Sequence, residues 1–131
     1  MITILVDHDI EGQALTLWGT LAADGWLALL PMQLVMFAQV GLPMDSSDRV
    51  VWNTAQAHNM ILLTHNRNMK SEDSLEQTIR ENNTSTSLPV ITIGRIDRIR
   101  EKSYREQCAI RLVEIGMEIE NYLGAGRIFV P

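Results

Sequence analysis

The stretch Met60-Ile61-Leu62-Leu63-Thr64-His65-Asn66-Arg67-Asn68-Met69-Lys70-Ser71-Glu72-Asp73 decides how this chain folds. Its apolar start, residues 60–63, predicts a buried strand that breaks at Thr64 into a polar turn, and a new helix is expected near Asp73. An open α/β sheet places its ligand site at the carboxyl end of a central strand. Residues 64–68 are therefore the expected functional centre.

The rest of the chain supplies a sheet for this strand to join. Residues 2–6, Ile-Thr-Ile-Leu-Val, are β-rich and nearly all apolar, as in a strand covered on both faces of a parallel sheet. It ends at Asp7-His8-Asp9. Ile10, Ala14, Leu17, Trp18 and Leu21 then recur at helical spacing, with Asp9 placed to cap the start and Asp24-Gly25 to close the end. Asp45-Ser46-Ser47-Asp48 opens another helix, Asp45 and Asp48 standing in N-cap and N3 relation, with Val51, Trp52 and Ala55 on its inner stripe. After the central stretch a helix is expected to about Asn82, with Leu75 and Ile79 inward and Asp73 and Glu76 at capping-box spacing. Residues 88–93 predict a fourth strand stopped by Gly94. A long helix over about 97–123, with Cys108, Leu112, Ile115, Ile119 and Tyr122 on one face, is stopped by Gly124-Ala125-Gly126, and residues 128–130 predict a last strand. Alternating strands and helices imply one α/β domain: a three-layer fold with a mostly parallel central sheet of about five strands and helices on both faces.

Composition bounds the functions available. A chain of 131 residues, 46% apolar and 21% charged, is one globular domain rather than a disordered segment. A single cysteine, Cys108, excludes an internal disulfide framework and a cysteine-based zinc site. The first residues lack the basic region of a secretory signal, so a reducing, cytoplasmic compartment is expected. The net charge of −5 argues against broad electrostatic affinity for nucleic acid. Six cations fall between Arg95 and Arg111 against three acids, a stretch that reads either as a phosphate-facing surface or as a solvated helix face with pairs such as Glu101–Arg105.

Residues 25–44 carry no charge at all. Pro31, Gln33, Gln39, Gly41 and Pro43 interrupt the run too often for a membrane span, so it divides into a short strand near 27–30 and a helix near 31–39. So much apolar surface on a small domain predicts a homodimer face containing Leu34, Met36 and Phe37.

In element order the chain resembles the PIN-like domains, small α/β relatives of metal-dependent ribonucleases that include toxin ribonucleases. Ile4-Leu5-Val6-Asp7 is similar to that family's first strand and its catalytic aspartate, and Asp45-Ser-Ser-Asp48-Arg-Val-Val-Trp52 to the helix that carries a second acid at its start. Ile61-Leu-Leu-Thr64-His65-Asn66-Arg67-Asn68-Met69 corresponds to the strand and turn usually written Val-Leu-Thr-x-Asp-x-Asp-Phe. The resemblance implies Mg²⁺ or Mn²⁺ held by Asp7, Asp48, Asn66, Asn68 and Asp73, and hydrolysis of RNA phosphodiesters with Asp7, Asp48 and Asn66 at the reacting centre. It further implies substrate contacts from Asp9, Thr64, His65 and Arg67, and an antitoxin-like or other protein partner. Asn66 and Asn68 stand where the family has acids; an asparagine carbonyl can ligate a metal but cannot act as a base near pH 7. The alternative is a catalytically degenerate PIN-like module that binds a protein or nucleic acid without cutting it.

Each of these residues also has a structural reading. Asp7 can cap the turn after its strand, Asp48 suits a helix's first turn, Thr64 can bond the turn backbone, and asparagines tolerate left-handed turn conformations. His8 and His65 share no metal-ligand spacing, and His58 suits a helix C-terminus. A receiver-like fold, suggested by Asp7-His8-Asp9, is set aside: the central strand ends without an acceptor aspartate and the fourth without a lysine.

Overall fold

The structure, a computed structural model, describes residues 1–65 and 74–131. Among these, five strands form one all-parallel sheet: β1 (Ile2–Val6), β2 (Met32–Val35), β3 (Ile61–Thr64), β4 (Val90–Ile93) and β5 (Arg127–Val130), in the order β2-β1-β3-β4-β5. Alternation along the strands feeds two cores. Ile4, Val6, Leu63 and Ile91 point to one face, where α1 (Glu11–Ala23) and α5 (Lys102–Met117) cover them with Leu17, Leu21, Cys108, Leu112 and Ile115. Leu5, Leu62 and Val90 point to the other, beneath α3 (Asp48–Ala57) and α4 (Leu75–Asn82) with Val51, Trp52, Ala55, Leu75 and Ile79. The three-layer α/β fold expected from the sequence is present, and the inner stripes of α1, α3, α4 and α5 fall where periodicity places them.

Several local expectations are corrected. The apolar segment 25–44 contains a helical turn, α2 (Trp26–Leu29), where a strand was expected, and strand β2 where a helix was expected. Runs of four apolar residues do not discriminate helix from strand by periodicity; here β1 decides, pairing Ile2 with Met32 through Leu5 with Val35. Pro31 does not open a helix: its carbonyl accepts from the Ile2 amide. Phe37, assigned to a homodimer face, is only 3% exposed and packs with Trp52 and Leu75.

The helix caps also differ. Ser47, not Asp45, caps α3 by accepting from the Val50 amide, and Ser74 caps α4 by accepting from the Gln77 amide. Asp73 lies outside the described residues. Asp9 does not cap α1, because a 3-10 turn at His8–Ile10 precedes that helix. The long C-terminal helix is three pieces: a 3-10 turn at Ile96–Arg100, α5, and a 3-10 turn at Ile119–Tyr122. Glu101 takes an extended conformation between the first two, and the Arg105 guanidinium ties the join together by donating to the Ile99 carbonyl and the Thr20 hydroxyl. The expected Glu101–Arg105 pair is therefore replaced by Arg98–Glu101. Arg95 pairs with Asp97 and Arg111 with Glu114, so four cations of this stretch are committed within the fold. It is a solvated face laced with salt pairs, the second of the two readings.

At the C-terminal stop the reading holds. Gly124 has φ +80, and a Cβ there would sit 3.0 Å from Ser85 Cα, so both conformation and space call for glycine. Among the described residues no helix is long and apolar enough to cross a membrane.

The caps give a direct test. Ser47→Ala should cost about 1 kcal/mol in urea unfolding, and Ser74→Ala the same or more because its cap is buried. Asp45→Ala, at an exposed residue outside the helix, should stay within about 0.5 kcal/mol of the parent. Equal losses at Ser47 and Asp45 would contradict the observed capping.

Candidate functional site

Strand order makes one place on this sheet special. From β1 the chain crosses to β2 on one side, then returns past β1 to β3 on the other, so the connections leaving β1 and β3 diverge. This is the topological switch point, where an open parallel sheet has a crevice beyond its strand ends. A cavity of about 470 Å³ opens there, lined by Asp7, Asp9, Asp48, Ser46 and His65 and by the apolar side chains Phe37, Met44, Val51, Leu62 and Leu75.

Each acid arrives on a different support. Asp7 directly follows β1; its amide donates to the Leu63 carbonyl at 2.9 Å, which fixes it against β3. Its carboxylate Oδ2 accepts from Thr64 Oγ1 at 2.6 Å. Thr64, the last residue of β3, is fully buried. Asp9 is exposed on the 3-10 turn that follows. Asp48 is the first residue of α3, and its Oδ2 accepts from the Leu75 amide at 3.0 Å, joining the N-terminal ends of α3 and α4. Both helix N-termini carry the partial positive charge that favours a carboxylate.

Electrostatics sets Asp7 apart. Burial pushes its carboxyl above the ordinary carboxylate range, Thr64 pulls it partly back, and the charges of Asp9 and Asp48 push it up again. Asp9 and Asp48 both lie near enough to act on the Asp7 charge. The cavity lining holds no Lys or Arg among the described residues to offset them.

The expected residues thus divide into groups. Asp7, Asp9, Asp48 and His65 come together around one cavity, with Thr64 just beneath it bonded to Asp7. Asn66, Arg67, Asn68 and Asp73 lie outside the described residues. Gly94 and Arg95, at the same sheet edge after β4, turn away: the Gly94 amide donates to the Val130 carbonyl and the Arg95 amide to the Tyr104 hydroxyl. His8 stands behind the site, its ring tilted against Phe37 and its Nδ1 3.4 Å from Glu11. His58 ends α3 with Nδ1 2.9 Å from the Thr54 carbonyl, a structural position. Cys108 is buried in the core, its thiol pushed up to about 11 by that burial, and has no part in the site. Sequence reasoning missed Ser46 and the apolar wall of Phe37, Met44, Val51, Leu62 and Leu75. Only Ser46 left a trace, two residues ahead of Asp48 in a capping segment.

The donor set bears on a metal. Carboxylate oxygens are the hard ligands that Mg²⁺ and Mn²⁺ prefer, and mutual repulsion among three acids is what a cation relieves. Among the described residues, however, no group of three His, Cys, Asp or Glu side chains comes close enough to hold a metal ion. By themselves, the described acids fit a cation bound through one or two carboxylates, with water in its other positions. No family model, no curated protein and no solved structure matches the chain.

Asp7 predicts a sign for pH dependence. Its folded pKa lies above the ordinary value of 3.8, so the native state binds a proton more tightly than the unfolded chain does. Its contribution should therefore fall as pH rises from that value through the raised folded pKa. Asp7→Asn, which keeps an acceptor for Thr64, should flatten this fall and raise the melting temperature at neutral pH. Thermal melts between pH 3 and 8 in chelator check this, and a lower melting temperature for the variant at pH 7 would contradict it.

Proposed function

We propose that this chain is a PIN-like, divalent-metal-dependent ribonuclease that hydrolyses RNA phosphodiesters, working in a reducing, cytoplasmic setting. The observation that carries the reading is the gathering of Asp7, Asp9 and Asp48 around one cavity at the β1/β3 switch point. Carboxylates without a lining cation repel a phosphodiester, so such a cavity suits phosphate chemistry only with a divalent cation between the two. When bound, Mg²⁺ or Mn²⁺ supplies a water of lowered pKa and neutralises charge on the phosphate.

The chain's own residues then have distinct tasks. Asp7 would be the principal ligand; it is oriented by Thr64 and held against β3 by its own amide. Asp48 is the second, fixed at the start of α3 by the Leu75 amide. Asp9 and His65 border the cavity, where Asp9 can bond an outer water and His65 can donate to a phosphate oxygen. Asn66, Asn68 and Asp73 would complete the oxygen donors, with Arg67 a cation for the RNA backbone.

A second reading rests on a specific contact. Asp48 already serves a structural role through Leu75, and the described acids include no three-ligand cluster. A PIN-like module that has lost cleavage and only binds RNA or an antitoxin-like protein would keep these acids for the fold.

Two measurements separate the readings: Mn²⁺ titration by calorimetry and cleavage of labelled RNA. The nuclease reading expects metal-dependent cleavage by the parent and its loss in Asp7→Asn. Asp48→Asn retains an oxygen for the Leu75 amide but not the charge. It should keep the parent's melting temperature while weakening Mn²⁺ binding by more than about tenfold, a loss that even an outer partner of a metal ligand can cause. Metal-independent behaviour in both assays removes the nuclease. Cleavage gained only in an Asn66→Asp/Asn68→Asp double variant establishes the degenerate module.

A further inference from the structure

The sheet face that carries α3 and α4 is left partly open at its last strand. Side chains alternate along a strand, so Arg127 and Phe129 of β5 point to this face while Ile128 and Val130 join the core under α1 and α5. Val90 of the neighbouring β4 is buried with Ile79 of α4, yet Phe129 is 52% exposed. Helix α4 therefore covers β4 and leaves the outer part of β5 open. A second cavity of about 590 Å³ lies there, lined by Glu76, Arg80 and Asn83 from α4 and its C-terminal cap and by Arg127 and Phe129 from β5. It shares no lining residue with the acid cavity.

The two cavities differ in charge. The Arg127 guanidinium, on a side chain only 8% exposed, donates to Glu76 Oε2 at 3.2 Å and to Thr92 Oγ1 at 2.7 Å, so the charges of Arg127 and Glu76 cancel within the wall. Arg80 is exposed and makes no ion pair among the described residues, only a 3.5 Å contact with Gln77. It gives the lining one positive charge that no lining acid cancels, in a chain of net charge −5. The Phe129 ring lies on the same face, with the Arg127 guanidinium 5.8 Å from its centroid. Asn83 Nδ2 donates to the Gly124 carbonyl, while its Oδ1, shielded from water, accepts no hydrogen bond among the described residues. A buried acceptor without a donor is costly until a donor reaches it.

We propose that this cavity is a nucleotide site, taking a nucleoside monophosphate whose base carries an amino group. An exposed aromatic ring on a sheet is a stacking platform for a base. Arg80 supplies the cation for the phosphate. Asn83, its amide nitrogen already engaged, offers only an acceptor, which calls for a donor such as an exocyclic amine. An inorganic anion would leave Phe129 and Asn83 unused, and an uncharged aromatic would leave Arg80 unused. The volume falls within the ~300–1,000 Å³ of small-ligand pockets. The same chemistry can arrive as a free nucleotide or as the phosphorylated end of an RNA chain. Neither source requires a metal in the acid cavity.

Calorimetry on the full chain in chelator, with AMP as the probe, tests this. AMP should bind saturably, and adenosine or inorganic phosphate alone more weakly. Phe129→Ala should weaken AMP binding by at least about fivefold through lost stacking. Arg80→Gln should weaken it by at least about threefold, and so should replacing AMP by purine riboside monophosphate, which lacks the amino group. Arg100→Gln, at an exposed cation outside the cavity, should leave the affinity unchanged. Far-UV circular dichroism should report the parent fold for each variant, and Phe129→Leu, which keeps apolar bulk but no ring, is the substitute should Phe129→Ala unfold. A 5′-phosphorylated oligoadenylate that binds more tightly than AMP, with the same dependence on Phe129 and Arg80, assigns the site to an RNA end; otherwise the free nucleotide is its ligand. No saturable binding of either probe at millimolar concentration overturns the proposal. So does an AMP affinity unchanged by the folded Phe129 or Arg80 variant, or by loss of the amino group.

Discussion

The pairing of β1 with β3 is the constraint on which the rest depends. It aligns Ile4 with Ile61, Leu5 with Leu62 and Val6 with Leu63, and closes with the Asp7 amide on the Leu63 carbonyl. The register has two consequences. It sends Leu5 and Leu62 to one face and Val6 and Leu63 to the other, so the pair seeds both cores. It also brings the residues just beyond the strands together, setting Thr64 within 2.6 Å of Asp7. A slip of one residue would turn each side chain to the opposite face and separate Thr64 from the acid.

The acid cavity carries an electrostatic cost within the fold. Burial, and then the charges of Asp9 and Asp48, raise the cost of ionising Asp7, and the buried Thr64 hydroxyl partly offsets it. The Leu75 amide on Asp48 shows why stability and function are hard to separate by inspection. One carboxylate both fastens α4 to α3 and turns a negative charge toward the cavity, which is why only an isosteric amide can divide the two roles.

Much of the fold was legible in the chain. The apolar runs at 2–6 and 60–63, broken by Asp7 and Thr64, identify the central strands, because strands covered on both faces need unbroken apolar sequence. The candidate site was legible for the same reason: Asp7, Thr64 and His65 follow those strands directly, and Asp48 opens a helix. Less legible was segment 25–44, where Trp26–Leu29 and Met32–Val35 are equally apolar and equally short. Nothing local separates helix from strand there; hydrogen bonding to β1 does. The serine caps were obscured by neighbouring aspartates that satisfy the same rule.

Outside segment 25–44, the amino-acid sequence by itself determined the inner stripes, the alternation of strands and helices, and the acids at strand and helix boundaries, because periodicity and chain-breaking residues are local properties. Only the tertiary structure decided strand order, the switch point between β1 and β3, the meeting of Asp7, Asp9 and Asp48, and the exposure of an uncharged edge at β2. These depend on which segments far apart in the chain pair with one another. That choice is made by the burial of both sheet faces at once, and no single segment encodes it.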